Sequence, residues 1–227
     1  ELQGIMGSHL SQAQGFDKDV VDAIKEQYLP IGLDSAVPKK PYSITLSLTD
    51  RIDTLTGFFG INEKPSSSKD PYALRRVALG IIRIIAENKK DLKINDLISY
   101  SSNIYLDQGF IFSNDSSPKD VLNFLKDRFR YFLKEKNIRY DIIEAATKVL
   151  NLNTISMVFE KAKSLNKVIN KSIGEDIISS YKRASNILHL EAENTNIELK
   201  NITDPGIFKN DFEKNLYKKM GEFNKYY

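Results

Sequence analysis

The sequence contains no cysteine and only two histidines, and these scarcities remove whole classes of chemistry. Without thiols there are no disulfides, thiolate metal sites or cysteine nucleophiles; this fits a reducing compartment, and the plain expectation is the cytoplasm. His9 and His189 stand alone, with no second ligand at metal-binding spacing, so both read as surface or packing residues. Long apolar runs are also missing. The longest, around residues 77–86, is interrupted by Arg83 and falls well short of the roughly 20 residues a bilayer span needs, so no membrane helix is expected. Neither sign of charge dominates: 33 basic and 30 acidic residues leave a net +3. Any contact with nucleic acid must therefore rest on local stripes, not on the average. No Gly-x-x-x-x-Gly-Lys loop occurs, and Gly57-Phe58-Phe59-Gly60 has the wrong spacing for one. The opening ELQGIMG lacks an initiator Met and a leader pattern, and reads as the interior of a longer protein without a signal peptide.

What is present is helical periodicity in a chain of 227 residues whose 41% hydrophobic content is enough for packed cores. Residues 17–28 predict a helix with Asp17 as N-cap, ending before a linker over 30–41. From Pro41 to Gly60, Ile44, Leu48, Ile52, Leu55 and Phe59 recur at spacings of three and four and stack on one face. After a Pro/Ser loop, Asp70 and Pro71 form a helix start, with Asp as cap and Pro at the first helical position. The helix they open carries a stripe of Leu74, Val77, Ala78, Ile81, Ile82 and Ile85. Further helices are expected over 94–106, from Ser117-Pro118 to about 136, and over 140–150, 154–169, 175–190 and 208–227. Residues 194–205 are polar and read as flexible. No strand pattern exceeds a few residues, so the fold class is all-α, with active sites confined to clefts between helices.

Two groups of side chains bear on function. Asp50 and Asp53 lie three apart, away from the apolar stripe, where carboxylates can hold a cation or act as a base; the alternative is pairing with Arg51 or Arg83, or solvent. The second group is basic. Arg75, Arg76 and Arg83 fall within about 100° of helical arc, with Lys69 in the loop ahead, and together with the helix N-terminus they can hold a phosphate. Lys119, Lys126, Arg130 and Lys134 form a second basic face, flanked by Arg128. Tyr181, Lys182 and Arg183 set an aromatic between charges, a combination suited to stacking and backbone contact with RNA. Solvated helix faces have the same look.

LTDRIDTL resembles the last motif of HD-domain phosphohydrolases, with Asp50 at the position of the final metal ligand. That family also needs an upstream His and a His-Asp dyad, and neither histidine here is followed by Asp. The longer stretch TDRIDTLTGFFGINEKPSSSKDPYALRRVALGIIRII is similar to the signature region of the beta subunit of bacterial heterotetrameric glycyl-tRNA synthetases. ELQGIMG, EQYLP, RFRYFL and SYKRASNIL follow that family in the same order, from Glu1 to about Phe223. Lys64-Pro-Ser-Ser-Ser departs from it where a Gly is usual.

The resemblance implies an HD-like helical domain with linker helices over 1–150, and a helical segment over 151–227 leading into an anticodon-binding domain of the arginyl-tRNA-synthetase kind. It implies a metal site reduced to the remnant Asp50, no catalytic residue, and no cofactor bound by this region. ATP and Mg²⁺ would act at the alpha subunit of an α2β2 assembly. The role implied is to bind and orient the glycine tRNA, with Lys69, Arg75, Arg76, Arg128, Arg130, Tyr181, Lys182 and Arg183 as candidate RNA contacts. A metal phosphohydrolase and a non-catalytic helical adaptor are the alternatives.

Overall fold

The computed structural model describes residues 2–32, 34–113, 117–148, 154–195 and 205–223. Among these, ten α-helices and no strand occur: α1 (Ile5–Ala13), α2 (Lys18–Glu26), α3 (Pro41–Gly60), α4 (Leu74–Glu87), α5 (Ile94–Asp107), α6 (Ser117–Glu135), α7 (Tyr140–Lys148), α8 (Ile155–Ile169), α9 (Ser172–Thr195) and α10 (Asp211–Phe223). The chain is all-α, as expected. It divides into two compact units, Glu1–Lys171 and Ser172–Tyr227. The expected boundary between residues 150 and 151 lies outside the described residues, as does most of the polar stretch 194–205.

In the first unit α4 is the central helix. It packs against α3, α6 and α8, and this explains why its burial exceeds a single stripe. Besides the expected Leu74, Ala78, Ile81, Ile82 and Ile85, it buries Leu79, Gly80, Arg83 and Ile84. The stripe of α3 is buried as read from the sequence; Ser43, Ser47 and Arg51 join it on the flank that the linker before α3 covers, and Thr56 is buried on the opposite flank. From α6 come Val121, Leu125, Phe129 and Phe132, and the Phe132 ring meets Phe159 of α8 at 5.0 Å between centroids.

Five helices end in the same way. Gly15, Asn62, Lys89, Gly109 and Asn137 all adopt positive φ. The next residue then donates its N–H back to a carbonyl of the last turn, as in Glu63 to Phe58 O at 2.9 Å and Ile138 to Leu133 O at 3.1 Å. This is the left-handed helix end that Gly and Asn favour. Lys89 shows that tertiary context can impose it without either residue.

Helix starts match the sequence less closely. Asp17 occupies the N-cap of α2, yet its side chain makes no capping bond. Asp70 does cap α4, but from four residues back: its carboxylate accepts from the N–H groups of Leu74 at 2.8 Å and Arg75 at 3.0 Å. Pro71 is thus not the first helical residue. It sits in a turn closed by the Ala73 N–H on Asp70 O, and Ala73 has φ 55°. In the second unit α10 begins at Asp211, three residues later than expected, because Asn210 and Glu213 cap each other's N–H groups reciprocally.

The linker between α2 and α3 contains Pro30 and Pro38 and cannot form regular backbone bonds throughout. Side chains of α3 and α4 serve its carbonyls instead. Ser47 donates to Leu29 O at 2.8 Å, and Arg51 donates to Tyr28 O at 2.9 Å and Pro30 O at 3.2 Å. Arg83 donates to Gly32 O and Ser35 O at 2.5 and 2.7 Å, and Asn88 to Pro38 O at 3.0 Å. Arg83 is 4% exposed, so it belongs to the packing and not to the solvent-facing basic arc read from the sequence. Arg51 passes over Gly80 so closely that a β-carbon there would lie 2.5 Å from its Nε. We expect Gly80→Ala to destabilise the first unit by about 1–3 kcal/mol through this overpacking. A urea midpoint equal to wild type would show that Arg51 does not occupy this place.

Candidate functional site

The carboxylates of α3 do not assemble a centre. Asp50 is half-buried and accepts a hydrogen bond from Gln27 Nε2 at 3.2 Å; it pairs with neither Arg51 nor Arg83. Asp53 is exposed, and its backbone carbonyl lies 3.4 Å from the Tyr105 hydroxyl. Among the described residues no three His, Asp or Glu side chains converge as a metal site. His9 and His189 are both exposed. The described residues thus do not supply the donor set that HD-type metal chemistry needs.

The basic residues near the start of α4 do come together, with different duties. Arg75 uses its guanidinium on the preceding loop: it donates to Ser66 O and to Lys69 O, and lies 3.9 Å from the Asp70 carboxylate. The loop is closed on itself by the Ser66 N–H on Lys69 O at 3.0 Å. It is tied to α6 by Lys64 and Asp120 at 2.6 Å. The Lys69 side chain remains exposed on it. Arg76, one position further along α4, is exposed, and its guanidinium has no ion pair or hydrogen bond among the described residues.

Arg76 faces a cleft of about 450 Å³ between α4, α6 and the linker, lined by Pro30, Ile31 and Leu79 and by four arginines, Arg75, Arg76, Arg83 and Arg128. Among the described residues no carboxylate lines this cleft. Arg128 comes from α6, with its Cζ 5.6 Å from the Phe124 ring centre and 5.8 Å from that of Tyr131. Its Nε is buried without an acceptor among the described residues. Tyr131 closes the same side; partial burial and the neighbouring Glu135 carboxylate push its phenol up from the ordinary value. A second, more mixed cleft of about 750 Å³ shares Pro30, Ile31 and Arg76 with the first and includes Asp50.

Of the candidate RNA contacts, Arg75, Arg76 and Arg128 thus share one cleft, and Lys69 sits on the loop that Arg75 holds. Arg130 does not. Two helical residues are about 200° apart, so Arg130 points away from Arg128 and donates to Thr147 of α7 at 3.3 Å and to Asp127 at 3.4 Å. Tyr181, Lys182 and Arg183 are exposed on α9 in the second unit. Sequence reading missed Tyr131; its only signal was RFRYFL, where it follows two arginines on the helix that carries Arg128.

The model of the glycyl-tRNA synthetase beta subunit matches residues 1–148. The chain belongs to that family. It is 35% identical over 198 residues to the glycine–tRNA ligase beta subunit of Ruegeria sp. (strain TM1040), covering 87% of this chain and 27% of that protein. It is 38% identical over 222 residues to the one from Rickettsia canadensis, covering 97% and 31%, and 36% identical over 217 residues to the one from Paracoccus denitrificans, covering 96% and 30%. The chain therefore spans less than a third of these relatives' length. No helix among the described residues is long and apolar enough to cross a membrane.

The two acidic anchors differ in weight. We expect Asp70→Ala to cost about 0.5–2 kcal/mol by releasing two N–H groups at the start of α4. Asp50→Ala, which loses one partly exposed bond to Gln27, should cost less than about 1 kcal/mol. Chemical denaturation of both variants checks the order, and the reverse order would contradict the anchoring described.

Proposed function

We propose that this chain is part of the beta subunit of a heterotetrameric glycine–tRNA ligase, where it binds and orients the glycine tRNA while an alpha subunit joins glycine to it with ATP and Mg²⁺. In this reading residues 1–150 supply an HD-like helical domain with its linker helices. Residues 151–227 lead toward an anticodon-binding domain. The assembly works in the cytoplasm as α2β2, and this region holds no catalytic group. Family membership supports the reading, and so does the similarity to proteins named as beta subunits over almost the whole chain.

The observation that carries the RNA contact is the cleft where, among the described residues, Arg76 and Arg128 stand without ion-pair partners and no carboxylate lines the wall. Guanidinium groups placed this way serve phosphate oxygens, often two at a time, and fix the position of a nucleic acid without reading its sequence. Lys69 adds an exposed charge on the loop that Arg75 holds. Arg75 acts on RNA chiefly by holding the loop that presents Lys69. Tyr181, Lys182 and Arg183 form a separate candidate contact on α9. Arg130 has protein partners and is the weakest of the set.

The test uses the intact beta subunit with its alpha partner. Arg76→Glu combined with Arg128→Glu, confirmed as folded by circular dichroism and melting, should lower tRNA affinity at least tenfold near 0.1 M salt. It should also flatten the dependence of log K on log salt by about one to two, since each lost phosphate contact removes roughly 0.7–0.9. Unchanged affinity and slope would overturn the assignment of this cleft to RNA.

A further inference from the structure

The cleft beside α4 has more character than a phosphate track requires. Two of its four arginines are fully engaged: Arg83 by Gly32 O, Ser35 O and Glu87, and Arg75 by Ser66 O, Lys69 O and Asp70. That leaves Arg76 and Arg128 for a ligand, in a cleft that Pro30, Ile31 and Leu79 also line. The phenol ring of Tyr131 stands beside Arg128 and is 39% exposed. Ile31 is 65% exposed on the same opening.

A bare oxyanion would use the guanidinium groups and leave the apolar wall unexplained. A purely apolar ligand would leave two cations facing it unpaired. The lining suits an amphiphile with a compact anion at one end and a flat, π-faced body at the other. The volume of about 450 Å³ lies within the roughly 300–1,000 Å³ of small-molecule sites. Among the described residues neither Arg76 nor Arg128 has a carboxylate partner, so both guanidinium groups can serve a ligand anion.

We infer that this cleft is a pocket for a single nucleoside monophosphate unit, with its phosphate between Arg76 and Arg128 and its base against Tyr131, Leu79 and Ile31. Planar stacking on Tyr and on an Arg guanidinium is how unstacked bases are held, and it tolerates any base. The unit is an unpaired nucleotide of RNA or a free mononucleotide; both present the same chemistry. The inference deepens the RNA-contact reading of the same cleft and rests on it.

The full chain is titrated by calorimetry with the four nucleoside 5′-monophosphates, and with ribose 5-phosphate and the free nucleosides as controls. Saturable binding of the monophosphates, at least fivefold tighter than either control, is expected. Tyr131→Leu should erase the advantage over ribose 5-phosphate, and Arg128→Gln the advantage over the nucleosides, in variants that melt like wild type. In the intact beta subunit with its alpha partner, displacement of the monophosphate by tRNA assigns the pocket to an RNA nucleotide. Binding that tRNA does not displace assigns it to a free nucleotide, and leaves the tRNA result for Arg76→Glu with Arg128→Glu to decide the broader reading on its own. Monophosphates that bind no tighter than ribose 5-phosphate, or equally well to the Tyr131 and Arg128 variants, overturn the inference even if tRNA still binds.

Discussion

Two buried guanidinium groups hold the linker before α3 against the rest of the first unit, and the candidate site is built on that attachment. Arg51 is 6% exposed and Arg83 4% exposed. Taking such charges out of water is costly. Arg83 recovers part of the cost from Glu87 at 2.8 Å, whereas burial pushes the Arg51 guanidinium below its ordinary value and only the adjacent Asp50 acts in the opposite direction. The return is geometric. A segment interrupted by prolines, with carbonyls that would otherwise face apolar side chains, is fixed across α3 and α4, and it supplies Pro30, Ile31 and Gly32 to the cleft wall.

The same principle separates arginines that structure the site from those that serve it. Arg75 and Arg83 each donate to at least two backbone carbonyls and lie near a carboxylate. Among the described residues the guanidinium groups of Arg76 and Arg128 have neither. Four like side chains within one small space thus divide into two that set its shape and two that set its affinity for anions, and formal charge alone would not tell them apart.

Helix content was legible in the sequence because apolar spacing survives in any packed bundle: α3, α5 and α8 fall where periodicity puts them. Burial around α4 was less so, since a stripe of Leu and Ile says where a core must touch but not that α3, α6 and α8 would enclose the helix. Helix starts failed where the cap acted at a distance: Asp70 reaches forward over a turn, and Asn210 with Glu213 begins α10 later than its apolar pattern. In the site, the grouping of Arg75 and Arg76 was readable from adjacency. Arg128 meeting them across α6, Arg130 turning away, and Tyr131 closing the cleft depend on how two distant helices dock, which no local pattern encodes.

The loop of residues 61–70 and the linker are both fastened through main-chain acceptors. Ser66 O, Lys69 O, Gly32 O and Ser35 O receive the arginine donors, and every amino acid carries such an oxygen. The demand on sequence therefore falls on the arginines of the helices and on the loop side chains that bond outward, Lys64 to Asp120 and Asp70 to the start of α4, while positions that offer a carbonyl alone can drift in composition so long as the path is kept. A Lys-Pro-Ser-Ser-Ser loop in place of a glycine-bearing one is the kind of change this fastening absorbs.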